Sequence, residues 1–239
     1  MIIAIDAGNS RIKWGLHDGR KWLDSGVLAT ADVAWLGEAA DEWPEPARVV
    51  VCNVAGSDVS ATISALLARR HDKVSFLHAS AEACGVRNSY ELPRQLGADR
   101  WAALIGARTL LDSACLVVCA GTATTVDLLD ATGLFRGGLI LPGFDLMRAA
   151  LARNTAQLPL ADGVFRAEPR NTMDAIVSGC LQAQLGAVDR MFSAIAAEPG
   201  ARCLLTGGAA ERLAAHLNIP FELADNLILN GLVRYADSL

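Results

Sequence analysis

Short apolar runs that break at small polar turns recur along this chain, and they predict strands. Ile2 to Ile5 ends at Asp6, and Ile12 to Leu16 resumes after the turn Gly8-Asn9-Ser10, which predicts a strand, a turn and a second strand. Arg48 to Cys52 and Val74 to Leu77 predict two more buried strands. Ala31 to Trp43 has apolar spacing compatible with a helix, and Val59 to Arg70 reads as an amphipathic helix with Val59, Ile63, Leu66 and Leu67 inward. Alternation of strand and helix indicates an α/β lobe. Glu82 to Leu96 is polar and irregular, and it leads into a strong helical pattern from about Ala98 to Leu111. The pattern then starts again. Leu116 to Leu129 repeats the strand and turn, Gly137 to Gly143 introduces a helix near Phe144 to Arg153, Thr172 to Ala194 is a long helical pattern, and Cys203 to Leu205 is a strand entering Thr206-Gly207-Gly208.

The restart echoes the opening. Aligning IIAIDAGNSRIKW (Ile2 to Trp14) with LVVCAGTATTVDLL (Leu116 to Leu129) sets Asp6 against Cys119, Ala7 against Ala120 and Gly8 against Gly121, at an offset close to half the chain. Two similar lobes, 1–112 and 113–239, are therefore expected, each presenting a glycine turn to a shared cleft of a kind that suits a polyphosphate. No low-complexity linker separates them, so the boundary should be tight.

Composition narrows the field. With 239 residues, 52% of them hydrophobic, the chain can bury a sizeable core without staples. The formal net charge of −5, with no Lys/Arg cluster beyond Arg69-Arg70, argues against nucleic-acid and anionic-membrane surfaces and favours small ligands or protein partners. Cys52, Cys84, Cys115, Cys119, Cys180 and Cys203 sit mostly in apolar runs with no CxxC pair and no secretory leader ahead of them, the pattern of reduced core thiols in a cytoplasmic protein. His17, His71, His78 and His216 show no metal-ligand spacing, which speaks against zinc at Cys115 and Cys119. No apolar run is long enough to span a bilayer.

Three turns are candidates for chemistry. Asp6 closes a strand beside Gly8, Asn9 and Ser10, whose small size lets backbone N–H groups approach phosphate oxygens, and Asp6 is placed to hold Mg²⁺ through water. The same residues also make an ordinary hairpin with an Asp-initiated turn, and Lys13 reads either as a phosphate partner or as a solvated strand residue. Gly121-Thr122-Ala123-Thr124-Thr125 offers main-chain amides and hydroxyls, or simply a Thr-rich strand. Thr206-Gly207-Gly208 follows a strand and opens a helix, so its N–H groups face outward. Neither a GxxxxGK loop nor a GxGxxG fingerprint is present, which argues against P-loop and Rossmann nucleotide binding. Gly97-Ala98-Asp99-Arg100 stands at a helix start: Asp99 can accept a substrate proton and Arg100 can clamp a substrate carboxylate, or Asp99 merely complements the positive helix end.

Taken in order, DAGNSRIKW, GADR, GTATTVD, GGLILPG and TGGAA resemble the type III pantothenate kinases, of the actin-like, sugar kinase and Hsp70 superfamily, over nearly the whole chain. The closing DNLILNGL, Asp225 to Leu232, resembles the family's usual end. The resemblance implies an α/β fold of duplicated actin-like (ribonuclease H-like) lobes with a nucleotide cleft between them. It implies transfer of the ATP γ-phosphate to the 4′-hydroxyl of pantothenate, the first step towards coenzyme A. Carried over by motif, Asp6, Ala7, Gly8, Asn9, Ser10, Arg11, Ile12 and Lys13 form the first ATP-phosphate loop and Thr122 lies in the second. Asp99 is the proton acceptor, and Tyr90, Gly97, Ala98, Asp99, Arg100 and Thr172 bind pantothenate. Family members are homodimers whose pocket the partner completes, so Thr172 acts across an interface, and the adenine lies near Gly207 and Gly208.

Two positions depart from the family. Many members carry Asp where this chain has Cys119, and there it helps bind a monovalent cation. A neutral thiol is a poor ligand for K⁺, which puts dependence on K⁺ or NH₄⁺ in question or moves that site to backbone carbonyls. Ser10, where relatives have Thr, keeps the hydroxyl. Two other functions compete. Some relatives were first recognised as accessory factors for virulence-gene transcription, but a regulator with a vestigial site should have lost Asp6, Asp99 or Arg100, and its acidic charge disfavours direct DNA contact. A superfamily kinase acting on a sugar or acetate is opposed by GADR together with Tyr90.

Overall fold

In the computed structural model the described residues are 1–44, 48–68, 74–160 and 162–239. They form two compact units: Met1–Asp112 with Gly133–Phe135 and Asn226–Leu239, and Ser113–Thr132 with Arg136–Asp225.

The first unit is built on strands β1 (Ile2–Ala7), β2 (Arg11–His17) and β3 (Trp22–Ala29), helix α1 (Leu36–Asp41), strand β4 (Arg48–Asn53), helix α2 (Ser57–Leu67) and strand β5 (Val74–Phe76). A short hairpin, β6 (Glu82–Ala83) and β7 (Val86–Asn88), then precedes helix α3 (Ala98–Leu110). The sheet order is β3-β2-β1-β4-β5, antiparallel on the β1–β2–β3 side and parallel from β1 through β4 to β5. Side chains alternate across a strand. Ile3, Ile5 and Ala7 therefore share one face with Ile12, Trp14, Val49 and Val51, and there they meet Leu36, Ile63 and Leu67 of the helices.

The second unit carries β8 (Cys115–Ala120), β9 (Ala123–Leu129), β10 (Leu134–Pro142), α4 (Phe144–Asn154), α5 (Thr172–Phe192), β11 (Arg202–Thr206), α6 (Ala210–Ala214) and β12 (Phe221–Leu223). Its strands run β10-β9-β8-β11-β12, the same order as the first unit read strand for strand. The pairings match too: β8 is antiparallel to β9 and parallel to β11, and β11 is parallel to β12. Leu116, Val118 and Ala120 pack with Val177, Leu181, Leu185 and Val188 of α5 in its core. The first two residues of β10, Leu134 and Phe135, belong to the first unit, where they pair with Arg87 and Asn88.

Helix α7 (Leu227–Ala236) returns to the first unit and packs on α3, β1 and β4. The contact with α3 is as close as backbones allow. A methyl group at Gly231 would overlap the Ala102 carbonyl, and one at Gly106 would overlap the Leu227 carbonyl. The Arg48 guanidinium caps the far end of α7 by donating to the Ala236 carbonyl.

Some expectations shift. Ala31 to Trp43 is not one helix: a 3₁₀ stretch, Thr30–Trp35, precedes α1, because Asp32 leaves helical geometry at φ −100°, ψ 25°. Strand β3 escaped the pattern because it is an exposed edge whose polar Asp24-Ser25-Gly26 interrupts any apolar alternation. The predicted helix from Val59 is α2, with Val59, Ile63, Leu66 and Leu67 inward as expected; its predicted end at Arg70, with Arg69 and His71, lies outside the described residues.

Candidate active site

The parity of β1 decides where Asp6 goes. Ile3, Ile5 and Ala7 take the core face, so Ala4 and Asp6 fall on the opposite one, and so do their parallel neighbours Val50 and Cys52. That is the side on which α7 packs against β1 and on which α3 and α7 approach β4. Asp6, the last residue but one of β1, thus lies near the start of α3, half-buried, with Lys13 opposite it across the antiparallel pair and Cys52 opposite it across the parallel one. Burial and the nearby Asp99 charge raise its pKa to about 7, while Lys13 and a hydrogen bond from the Cys52 thiol pull the other way. Two carboxylates that the sequence separates by most of a lobe are therefore neighbours.

The turn after β1 is pinned from below. Gly8 N–H donates to the Arg11 carbonyl at 3.0 Å, the Thr30 hydroxyl donates to the Gly8 carbonyl at 2.6 Å, and Thr30 N–H donates to the Ser10 carbonyl at 3.1 Å. Asn9, Ser10 and Arg11 are exposed and open to a ligand, whereas Ala7 and Ile12 are fully buried in the core.

At the start of α3, Gly97 is the N-cap and Asp99 stands in the first turn. Its Oδ1 accepts the Arg100 N–H at 2.8 Å, so the carboxylate does complement its own helix end. Arg100 is 4% exposed and donates through Nη1 to the Tyr90 hydroxyl at 3.0 Å. Its guanidinium stands 5.8 Å from the centroids of both the Tyr90 and Phe135 rings. Tyr90 is itself set by its N–H, which donates to Asn88 Oδ1 at 3.0 Å. The first unit therefore brings together Asp6, Lys13, Asp99, Arg100 and Tyr90.

A cavity of about 320 Å³ opens beside this helix start, lined by Gly97 and Ala98 and by Asn53, His78, Arg94 and Gln95. These last four were not singled out in the sequence. The available signal was positional: Asn53 ends β4 and His78 follows β5, and ligands of α/β sheets enter at the carboxyl ends of strands.

The remaining candidates lie in the second unit. Thr122 is exposed in the β8–β9 turn, and its carbonyl accepts the Gly143 N–H at 2.8 Å. Its neighbour Thr124 is buried and donates to Gln184 Oε1 of α5 at 2.9 Å. Cys119 is partly buried, opposite Thr125 in β9 and Thr206 in β11. Thr172 is the first residue of α5, exposed after an Asn171 cap whose side chain accepts the Asp174 N–H at 2.9 Å. It lines a larger apolar cavity of about 1050 Å³ with Met147, Leu151 and Ile176. Among the described residues no group of three or more His, Cys, Asp or Glu side chains is arranged to hold a metal, and no helix is long and apolar enough to cross a membrane.

The model of the type III pantothenate kinase family matches residues 2–194. A type III pantothenate kinase from Aromatoleum aromaticum is 60% identical over 232 residues, covering 97% of this chain and 96% of its own. Among solved structures, a Campylobacter jejuni protein assigned to the Baf family of transcriptional activators aligns with a TM-score of 0.67 at 19% identity, over 99% of this chain and 98% of its own. A Sinorhizobium meliloti protein assigned as a 2-dehydro-3-deoxygalactonokinase aligns with a TM-score of 0.63 at 17% identity, over 100% of this chain and 99% of its own. At such identities these two share the fold alone, the actin-like α/β fold of sugar kinases. Likeness to the Campylobacter protein thus lends nothing to the transcriptional reading, and the sequence relatives are named as kinases. On the family match and the near-complete alignment to its relatives, the chain belongs to the type III pantothenate kinase family.

Proposed function

We propose that this chain phosphorylates pantothenate at its 4′-hydroxyl with the γ-phosphate of ATP, the first step of coenzyme A biosynthesis. The observation that carries the residue assignments is the neighbourhood of Asp6 and Asp99, with Arg100 and Tyr90 joined beside them. Phosphoryl transfer asks a protein mainly for positioning and for charge neutralisation. Asp99 takes the proton of the 4′-hydroxyl; that oxygen bonds to the γ-phosphorus as the bridge to the β-phosphate breaks, and ADP leaves. One Asp99 oxygen is held by the Arg100 N–H, and the other is the one assigned to the substrate. Arg100, with Tyr90, receives the pantothenate carboxylate, and Gly97 and Ala98, just ahead of Arg100, line the cavity beside it. The turn Asp6 to Lys13 and Thr122 contact the ATP phosphates.

Burial, and after it the nearby Asp99 charge, raise the Asp6 pKa to about 7, so this carboxyl gains from a divalent cation that neutralises it, and Asp6 and Asp99 are a fitting pair for one. Asp6 would hold Mg²⁺ through water, since Mg²⁺ keeps most of its ligands as water and phosphate oxygen. The ion's contribution is to neutralise charge on the transferred group. A monovalent cation, K⁺ or NH₄⁺, would bind by carbonyls and by the hydroxyls that flank Cys119, since the thiol is a poor ligand. The chain acts as a homodimer in which Thr172 serves the partner's pocket. The cytoplasm, where coenzyme A precursors are made, is the expected compartment.

The test is ADP release from ATP and Mg²⁺ with and without pantothenate, in sodium buffer and with added potassium or ammonium. Turnover that requires pantothenate is expected. Turnover with a sugar or acetate instead, or none under any condition, would remove this reading.

A further inference from the structure

Strand β4 reads Arg-Val-Val-Val-Cys-Asn, and Cys52 is the one side chain among its buried residues that can donate a hydrogen bond. Register puts it at a particular place. In the parallel β1–β4 pair Cys52 lies opposite Asp6, on the same face, and its thiol hydrogen-bonds the Asp6 carboxylate. The thiol is fully buried on a strand against which α3 and α7 pack, and those two helices touch backbone to backbone at Gly106 and Gly231. The second unit treats the matching position in the same way. There Cys119 replaces Asp6, and its parallel neighbour in β11 is Thr206, again a short hydrogen-bonding side chain next to an aliphatic run, Cys203 to Leu205.

We propose that Cys52 is a positioning residue for phosphoryl transfer: its thiol holds the Asp6 carboxylate in the rotamer that presents the other oxygen to the water shell of the nucleotide-bound magnesium. The proposal rests on the role of Asp6 proposed above. Cys52 touches neither substrate nor nucleotide. Lys13, on β2, acts on Asp6 by charge from the opposite side through a longer side chain with more rotatable bonds than that of Cys52. Without the thiol, Asp6 samples orientations that the metal must then restrict, and the cost appears in the magnesium requirement and leaves pantothenate binding alone.

The experiment compares wild type with Cys52→Ala, Cys52→Ser and Asp6→Asn, each first checked for an unchanged circular dichroism spectrum and a cooperative melt. Two quantities are read: the magnesium concentration for half-maximal turnover at fixed ATP, and the dissociation constant of Mg²⁺-ADP by calorimetry. A weak, buried hydrogen bond predicts a rise of about three- to tenfold in both for Cys52→Ala, with the pantothenate KM unchanged. Cys52→Ser, which keeps a donor, should return both to within about twofold of wild type. Asp6→Asn separates the two levels of inference. If Asp6→Asn leaves the magnesium requirement at the wild-type value, the proposed role of Asp6 fails and this inference with it. If Asp6→Asn raises it but Cys52→Ala does not, or if Ser fails to rescue Ala, the positioning role alone is overturned.

Discussion

The two units make the same turn out of different chemistry. Each runs an apolar strand into Ala-Gly, folds back in an antiparallel partner, and pairs its strand in parallel with the next one, so Asp6 and Cys119 occupy matching positions. Around Asp6 the neighbours are a cation and a thiol, Lys13 and Cys52; around Cys119 they are two hydroxyls, Thr125 and Thr206. Ionic chemistry is therefore concentrated in the first turn, where burial and Asp99 hold a carboxyl near its titration point. The second turn is neutral, and although its own glycine, Gly121, has slightly more room than Gly8, with the Ala123 carbonyl 3.5 Å from an added methyl, segments outside it press closely on it. A methyl group at Gly143 would overlap the Gly121 carbonyl, and one at Gly207, whose φ is 102°, would overlap the Ala120 carbonyl. A methyl at Gly8 would meet only the Arg11 carbonyl, at 3.2 Å. One strand order thus carries two chemically different turns, charged in the first unit and closely packed by backbone in the second.

The sharpest way to break that division is to remove charge from the first unit. Asp99→Asn keeps the carbonyl oxygen that accepts the Arg100 N–H, so the helix start should survive. General-base catalysis contributes about 10²- to 10⁴-fold, and kcat should fall by at least the lower figure with the melting temperature little changed. Normal turnover would take Asp99 out of the mechanism. The bracing is tested next, by comparing Gly207→Ala with Gly8→Ala. Gly207→Ala combines a positive φ with a backbone overlap and should cost about 2–4 kcal/mol in denaturant unfolding. Gly8→Ala should cost about 1 kcal/mol or less, because a contact slightly under van der Waals distance relaxes with a small shift. Equal losses would mean that the Gly207 segment braces the second turn no more tightly than the first turn is held at Gly8.

How much of this was legible in the sequence depended on period. Strands whose core face is continuous, such as Ile2 to Ile5 and Leu116 to Val118, announce themselves, and the echo of Asp6-Ala7-Gly8 in Cys119-Ala120-Gly121 led to the repeated strand order. Edge strand β3 did not, since Asp24, Ser25 and Leu23 face solvent and carry no alternation. Residue roles at the turn could be proposed by motif, but the Asp6–Asp99 neighbourhood could not be read. It arises from strand parity together with the return of α7 against α3 and β1, which depends on two glycines far apart in the chain, Gly106 and Gly231. Cys52 passed as one more core thiol because its contact with Asp6 comes from strand register, and register is not local.

The pH dependence of stability measures what the charge in the first turn costs. The Asp6 carboxyl has a pKa of about 7 in the fold against an ordinary value of 3.8, so folding favours its protonated form. Below about pH 4 both folded and unfolded chains hold the proton and the group is neutral to stability. As pH rises from about 4 to about 7 the unfolded chain gives up its proton first, and stability falls; above about 7 the penalty is constant. Asp6→Asn removes the penalty, so its stability gain over wild type should grow through that window to roughly 2–4 kcal/mol at pH 8, while its magnesium requirement for turnover rises. Melts in phosphate and acetate buffers from pH 4 to pH 8 would show it. A gain that stays the same across the range would mean that the carboxyl is not strained by its surroundings.

Cys119→Asp runs the comparison in reverse, by giving the second turn the carboxylate of the first. The side chains are close in size, and the new carboxylate would sit between Thr125 and Thr206, whose hydroxyls can solvate it. Because no Lys matches Lys13 on β9, where Thr125 stands instead, the added charge lacks a fixed partner and should recruit a hard monovalent cation. The expected result is the smallest of the set: turnover in sodium buffer unchanged or reduced, with a stimulation by K⁺ or NH₄⁺ several times larger than in wild type. If wild type already depends fully on K⁺ and the substitution adds nothing, carbonyl oxygens of the turn suffice to hold the cation. The identity of the side chain at position 119 is then free to drift, which is the condition under which a thiol could have replaced a carboxylate there.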